Sequence, residues 1–172
     1  YSNFYFDPGV AGSNYAYWHY TASTQLDPGA VAFIFTTPPS TLGSFLATTG
    51  LKYGLAFNLD TDYQKIFATD STYTESPWSY MTPPNETDLS KLRHRGAKLM
   101  VYHGAADGIF SAADTANWYE SLQTANSGNA ADFARYFVVP GMNHCSGGPS
   151  TDQFDMLTQL VNWVEGKSAA PD

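Results

Sequence analysis

The second half of the chain alternates two apolar runs with two helical patterns, and this order restricts the folds open to it. From Gly96 on, residues 98–103 and 134–139 have strand character, and residues 111–123 and 151–165 have helix character. The first run is apolar without alternation, which suits a parallel strand covered on both faces. Strand, helix, strand and helix in this order predict an α/β fold, a parallel sheet with helices on its faces.

Two details of these helices also follow from the sequence. Ser111 directly precedes the first helix and can cap its free N–H groups. Apolar residues of the second helix recur at spacings of three and four, which predicts one apolar face against the sheet. These residues are Phe154, Leu157, Leu160, Val161 and Val164.

Each predicted strand ends in a loop that carries a side chain suited to acid–base chemistry. The first runs into His103-Gly-Ala-Ala-Asp107, and the second into Pro140-Gly-Met-Asn-His144. Aspartate before histidine is the order of these residues in the Ser…Asp…His triad of α/β-hydrolases. In a triad the aspartate accepts from histidine Nδ1–H, and the histidine is the general base. We therefore predict Asp107 as the acid and His144 as the base.

Other roles for these residues stay open in the sequence. His144 could cap a turn, and Asp107 could hydrogen-bond its own backbone in one. Asp114 is an alternative acid, although it lies on the predicted helix and is expected to be solvated. His103, at the strand end, is expected to satisfy a backbone carbonyl in the floor of the site, with a role in the chemistry as the alternative.

The sequence lacks a recognisable nucleophile. It contains no Gly-x-Ser-x-Gly, and Ser13, Ser44 and Ser111 do not lie on a strand–elbow–helix pattern. Ser146 lies in Cys-Ser-Gly-Gly, which superficially looks like an elbow. A serine so close to the proposed base could not both be deprotonated by it and occupy an elbow of its own. We therefore expect the nucleophile in a segment that is absent from this chain. This chain would then be the C-terminal half of a larger enzyme.

Four segments follow one another in a characteristic order. They are residues 88–104, Ala106-Asp107-Gly-Ile-Phe-Ser111, Pro140-Gly-Met-Asn-His144-Cys145-Ser-Gly-Gly-Pro149 and the closing helix, residues 152–165. Together they resemble the tannase and feruloyl esterase family, which includes the mono(2-hydroxyethyl) terephthalate hydrolases. A weaker likeness covers residues 36–68. The resemblance implies an α/β-hydrolase that cleaves esters of aromatic acids.

The resemblance also implies roles for single residues. In this family the nucleophile lies in a Cys-Ser motif, and its cysteine bonds to the cysteine that follows the catalytic histidine. Carried over, Cys145 is half of a disulfide to the nucleophile's loop, on an N-terminal segment or separate chain. Phe110 is expected at the rim of the substrate pocket. Trp18 is expected either to form a wall for an aromatic ring or to pack inside a lid.

The family layout further predicts two regions. Residues 1–82 would be the C-terminal part of an inserted lid domain and its return to the core. Residues 83–172 would be the C-terminal part of the α/β-hydrolase core, with the acid and the histidine. Pro83-Pro84 and the polar residues after them are a hinge-like boundary.

Composition and spacing argue against several partners and cofactors. The net charge of −8 disfavours nucleic acid and anionic membranes, and the chain has no apolar run long enough to span a bilayer. His19 and His94 have surface character, and no histidine pair has zinc spacing. Asp60 and Asp62 could ligate calcium, but capping of a helix or plain solvation fits them better. We predict no cofactor in this chain, and the family resemblance implies that calcium could bind in an absent part of the lid.

The family resemblance and the sequence together also predict the substrate and the cellular location. In the family's terephthalate monoester enzymes a lid arginine holds the free carboxylate, whereas residues 1–51 here contain neither Arg nor Lys. We therefore favour a ferulate- or gallate-type ester over a terephthalate monoester. A disulfide at Cys145 would require an oxidising compartment, secreted or periplasmic. The rival interpretations are a non-catalytic binding fragment and another α/β-hydrolase, neither of which needs Cys145.

Overall fold

The structure, a computed structural model, describes residues 23–40 and 47–172. The described residues belong to two compact units, which meet in sequence between Glu86 and Thr87. The assignment of residues 1–82 to a lid and 83–172 to a hydrolase core remains a prediction. Trp18, His19, Ser13 and Ser44 lie outside the described residues.

The first unit is helical over its described part. Its elements are α1 (Ser23–Phe33), α2 (Ala47–Ala56), the short α3 (Leu59–Asp62), a 3-10 turn (Tyr63–Ile66) and α4 (Pro77–Met81). Asn58 caps α3, because its Oδ1 accepts from the Asp60 amide at 2.9 Å. The cap is therefore an asparagine and not an aspartate, while Asp60 is exposed, as the alternative of a solvated side chain predicts. Asp62 instead accepts from the Asn58 amide at 2.8 Å and pairs with Lys65 at 2.7 Å.

The second unit has the predicted alternation of strands and helices. It contains α5 (Ser90–His94), β1 (Leu99–Gly104), α6 (Ala112–Ala125), a 3-10 turn (Ala130–Asp132), β2 (Ala134–Val139) and α7 (Met156–Val164). The strands pair in parallel, from Leu99 opposite Ala134 to Gly104 opposite Val139. Among the described residues the sheet has these two strands. Parallel strands need a crossover, which α6 supplies.

Side chains of the strands alternate between two faces, and a helix lies on each. On one face Leu99 packs beside a core of Leu122, Ala130, Phe133 and Ala134, under α6. On the other face the Tyr102 ring meets Phe154, just before α7, edge to face at a centroid distance of 5.0 Å. Ser111 caps α6 as predicted, since its Oγ accepts from the Asp114 amide at 3.1 Å. The mixed α/β architecture with a parallel sheet is thus confirmed for this part of the chain.

The last helix differs from its prediction in its start and in its buried face. It begins at Met156, where Asp155 accepts from the Thr158 amide at 2.9 Å. Trp163 is its buried residue, with Lys98 Nζ 4.9 Å from the ring centroid. The predicted face is instead exposed at Leu157 (71%), Val161 (41%) and Val164 (53%). The helix therefore has a second apolar stripe, formed by these three residues.

None of the helices within residues 23–40 and 47–172 has both the length and the apolar character needed to cross a bilayer.

Candidate functional site

Two loops that leave the parallel strands at the same edge bring the candidate residues together. The loop after β1 and the loop after β2 are joined by backbone hydrogen bonds, from Ala105 N to Val139 O and from Ala106 N to Met142 O, both 3.0 Å. Gly104 makes this approach feasible. A Cβ at that position would lie 2.3 Å from the Met142 carbonyl oxygen, which is closer than any real contact.

The two residues predicted to be acid and base are in direct contact. His144 Nδ1 lies 3.0 Å from Asp107 Oδ2. The aspartate is buried, with 4% of its side chain exposed, whereas the histidine is 35% exposed. The described residues provide no hydrogen bond to His144 Nε2. The imidazole is thus anchored through Nδ1, and Nε2 is free to meet a group that approaches from outside.

The Asp107 carboxylate is held by four donors. Its Oδ1 accepts from the backbone amides of Ile109 (2.8 Å) and Phe110 (3.0 Å), so it also forms the turn that the sequence left open as an alternative. Burial raises the pKa of Asp107, but hydrogen bonds from His103, His144, Phe110 and Ile109 outweigh it and lower the pKa from 3.8 to about 2. The group is therefore an anion at neutral pH, and it can only accept hydrogen bonds.

His103 takes part in this cluster, which the sequence did not reveal. Its Nε2 lies 3.1 Å from Asp107 Oδ2, and its Nδ1 lies 2.8 Å from Thr115 Oγ1. The expectation that His103 satisfies a backbone carbonyl is therefore wrong. The sequence does show that His103 precedes Asp107 by four residues. Its other partner, Thr115, lies on α6, and only the packing of α6 against β1 shows that the two side chains meet.

Three further residues considered in the sequence, Phe110, Cys145 and Ser146, lie near His144 in space or in the chain. The Phe110 ring is 57% exposed and lies 5.5 Å from the imidazole, centroid to centroid. Cys145 is exposed, and as the only cysteine of the chain it is a free thiol here. Its φ of 64° is in the left-handed region. Ser146 is exposed, and no hydrogen bond between it and His144 occurs in the described part of the chain.

Residues considered as alternatives lie in solvent. Asp114 is exposed on the first turn of α6, as expected for a solvated side chain. His94 is exposed at the end of α5. Within residues 23–40 and 47–172 no group of three or more His, Cys, Asp or Glu side chains is arranged to hold a metal ion.

The similarity to known proteins covers much more of the chain than these two loops. The family model described as tannase and feruloyl esterase matches residues 42–172, more than half of the chain. The chain belongs to this family. The match includes both strands, α6, α7 and each of the residues Asp107, His144 and Cys145.

Individual members of the family show different degrees of similarity. The chain is 49% identical over 138 residues to mono(2-hydroxyethyl) terephthalate hydrolase of Piscinibacter sakaiensis, covering 80% of this chain and 22% of that protein. It is 34% identical over 110 residues to a probable feruloyl esterase B-2 of Aspergillus flavus, covering 52% and 21%. It is 34% identical over 106 residues to feruloyl esterase C of Talaromyces stipitatus, covering 51% and 19%. The chain thus spans about a fifth of the length of these relatives.

Proposed function

We propose that this chain is the acid- and base-bearing part of a serine carboxylic ester hydrolase that cleaves esters of aromatic acids. Asp107 is the triad acid, His144 is the general base, and the serine nucleophile lies in a segment outside these residues. The observation that carries the proposal is the 3.0 Å contact between His144 Nδ1 and Asp107 Oδ2. It joins two loops at the carboxyl edge of a parallel sheet in a chain that belongs to the tannase and feruloyl esterase family.

The proposed reaction uses each atom of this contact. The serine Oγ attacks the ester carbonyl carbon while its proton passes to His144 Nε2. Asp107 stabilises the imidazolium so formed by accepting from Nδ1–H. As the tetrahedral intermediate collapses, the alcohol takes the proton from Nε2 and leaves. Water then attacks the acyl-enzyme, again losing its proton to His144, and the aromatic acid is released with the serine restored. The oxyanion donors would come from the same segment as the serine.

The partner in this proposal is the N-terminal segment or chain that carries the nucleophile in a Cys-Ser motif. Three features support it: the described site has an acid and a base without a serine, the named relatives are several times longer, and α7 exposes an apolar stripe. Exposed apolar stripes of this kind commonly mark surfaces that another part of a protein covers. The same segment would complete the α/β-hydrolase sheet and the lid.

Cys145 supports the same partner. A disulfide between Cys145 and the cysteine of the Cys-Ser motif would fix the serine beside His144, which is the preorganisation that acyl transfer needs. That bond would require a secreted or periplasmic location. The rival interpretation, a non-catalytic binding fragment, gives no reason for a cysteine next to this histidine. A peptide map of the complete protein under non-reducing conditions separates the two, because the rival predicts a free Cys145 thiol.

The proposed substrates are esters of phenolic acids such as ferulate or gallate. Phe110, exposed beside the His144 ring, is placed to contact an aromatic acyl group, and we assign Trp18 the wall of the same pocket. A second candidate is a terephthalate monoester, which the 49% identity to a terephthalate monoester hydrolase favours. Against it, residues 1–51 contain no Arg or Lys that could clamp a free carboxylate.

The test uses the complete protein and three esters: methyl ferulate, methyl gallate and mono(2-hydroxyethyl) terephthalate. Release of each acid is followed by chromatography for the wild type, His144→Ala and, as a control, His94→Ala at an exposed histidine. We expect His144→Ala to lower kcat/KM by at least about 10⁴-fold and His94→Ala to leave it unchanged. A tenfold preference for the terephthalate ester would select the second candidate.

The present chain alone is expected to hydrolyse none of these esters, because it lacks the serine. Activity of the purified chain alone would overturn the division between two segments and would make Ser146 the candidate nucleophile. Full activity of His144→Ala in the complete protein would overturn the role of His144.

A further inference from the structure

His103 makes a contact that the proposed triad does not use. Its Nε2 lies 3.1 Å from Asp107 Oδ2, the oxygen that is also 3.0 Å from His144 Nδ1. The His103 side chain is only 13% exposed. One carboxylate oxygen therefore lies within hydrogen-bond distance of two imidazoles, of which His103 is the less exposed.

The protonation of His103 follows from its neighbours. Asp107 is ionised and accepts only, so His103 Nε2 must carry the proton of this contact. The other ring nitrogen, Nδ1, lies 2.8 Å from the Thr115 hydroxyl, which can donate to it. A neutral ring with Nε2–H therefore satisfies His103, Asp107 and Thr115. It also places no positive charge beside the imidazolium that His144 becomes in the proposed reaction.

We propose that His103 is a positioning residue for the triad, which Thr115 holds as the neutral Nε2–H tautomer so that its proton occupies one lone pair of Asp107 Oδ2. The proposal rests on the proposed function. With Oδ1 already bound to two backbone amides, the His103 contact leaves one direction of Oδ2 for His144. The His103 contact therefore fixes the direction from which the His144 imidazole binds Asp107.

The contact also bears on the reaction. Each hydrogen bond to the carboxylate makes it less basic. A less basic Asp107 leaves the Nδ1 proton on His144, so the ring stays an imidazolium that can give its Nε2 proton to the leaving alcohol. Loss of His103 should therefore affect the chemical step more than substrate binding, because His103 acts on the base through its contact with Asp107.

A purely structural role, in which His103 fills space between β1 and α6, makes a different prediction. His103→Gln keeps an N–H donor at about the position of Nε2, whereas His103→Met has a similar length and no donor. Thr115→Ser keeps the hydroxyl that Thr115→Val removes. The structural alternative predicts that the two members of each pair behave alike. The proposal predicts that Gln and Ser preserve function while Met and Val do not.

The experiment measures kcat and KM of the complete protein for the aromatic ester that the wild type prefers. We expect His103→Met to lower kcat by roughly 10- to 100-fold, the effect of losing one hydrogen bond to a charged group, with KM within about twofold. His103→Gln should recover most of the loss. Thermal unfolding of each variant shows that it is folded. Equal kcat in the Met and Gln variants, whether lowered or not, would overturn the proposal.

A second readout does not depend on activity. In ¹⁵N-histidine-labelled complete protein, solid-state NMR distinguishes protonated from unprotonated ring nitrogens, and the His103 signals are identified by their loss in His103→Met. We expect Nε2 protonated and Nδ1 unprotonated, with a change in Thr115→Val. A doubly protonated ring, or one protonated at Nδ1 only, would overturn the proposal. If the wild type hydrolyses no ester, the proposed function fails, and this spectrum still decides the state of His103.

Discussion

At the scale of single residues, the Asp107 carboxylate determines what the two loops can do. Its Oδ1 is used by the turn amides, and its Oδ2 faces His103 and His144. The pairing of Asp107 with His144 could be predicted from the sequence, because an acid and a histidine that follow successive parallel strands arrive at one edge of the sheet. The position of His103 could not, because it depends on which side of Asp107 the ring of a residue four positions earlier comes to lie.

Replacing Asp107 by asparagine tests its role as the acid. Asparagine keeps the size of the side chain but cannot stabilise an imidazolium, so we expect kcat for the aromatic ester to fall by roughly 10³- to 10⁴-fold in the complete protein. Steady-state kinetics measure the change. Asp114→Asn, at the alternative acid on α6, is the matched control and should leave kcat unchanged. The opposite result would move the acid to Asp114.

The lowered pKa of Asp107 predicts a pH dependence of stability. With a folded-state pKa of about 2 against 3.8 in the unfolded chain, the anion stabilises the fold above about pH 4, and this contribution is lost as the pH falls from 4 to 2. After allowance for solvent near the loop, it is on the order of 1–2 kcal/mol. Denaturant unfolding at pH 5 and pH 3 should show a smaller loss for Asp107→Asn than for the wild type.

At the scale of elements, β1 and β2 hold the two loops against each other. Their bounds were predictable because apolar runs without alternation signal a covered parallel strand. The start of α7 was not predictable, because Asp152 accepts from the Gly147 amide at 2.7 Å and keeps the preceding residues in a loop. The buried face of α7 was predicted only in part, because Phe154 meets Tyr102 and Leu160 is half-buried, whereas the other three predicted residues are exposed. The helix has two apolar stripes, and periodicity alone does not say which one meets the sheet.

Gly104 is the position where the packing of these elements meets the site. A Cβ there would lie 2.3 Å from Met142 O and 2.5 Å from Asn143 O, directly before His144. Gly104→Ala should therefore push the histidine loop away from Asp107. We expect a loss of roughly 100-fold in kcat, the usual scale for a 1 Å misplacement, measured on the complete protein.

The control for this change is Gly96→Ala, at a glycine with φ of 71° and no other atom within 4 Å of the added Cβ. It should cost about 1 kcal/mol of stability from the left-handed backbone and leave kcat unchanged. Equal kcat in Gly104→Ala and the wild type would mean that the loops are not held together at this point.

At the scale of the whole molecule, the described residues fit one part of the proposed catalytic arrangement. They include an imidazole held through Nδ1, with no hydrogen bond to Nε2 from any described residue, an exposed aromatic ring beside it and an exposed cysteine next to it. They also include an apolar stripe on α7. The relatives of which the chain covers about a fifth give room for the rest. These features fit one account, in which the chain supplies acid and base to a serine held by another segment.

The most direct test is to label the complete protein with a fluorophosphonate, which reacts with an activated serine, and to find the modified peptide by mass spectrometry. The account predicts one labelled serine, preceded by cysteine and outside these 172 residues. The label should be lost in His144→Ala and kept in His94→Ala. A label on Ser146, or an active enzyme that takes up no label, would contradict it.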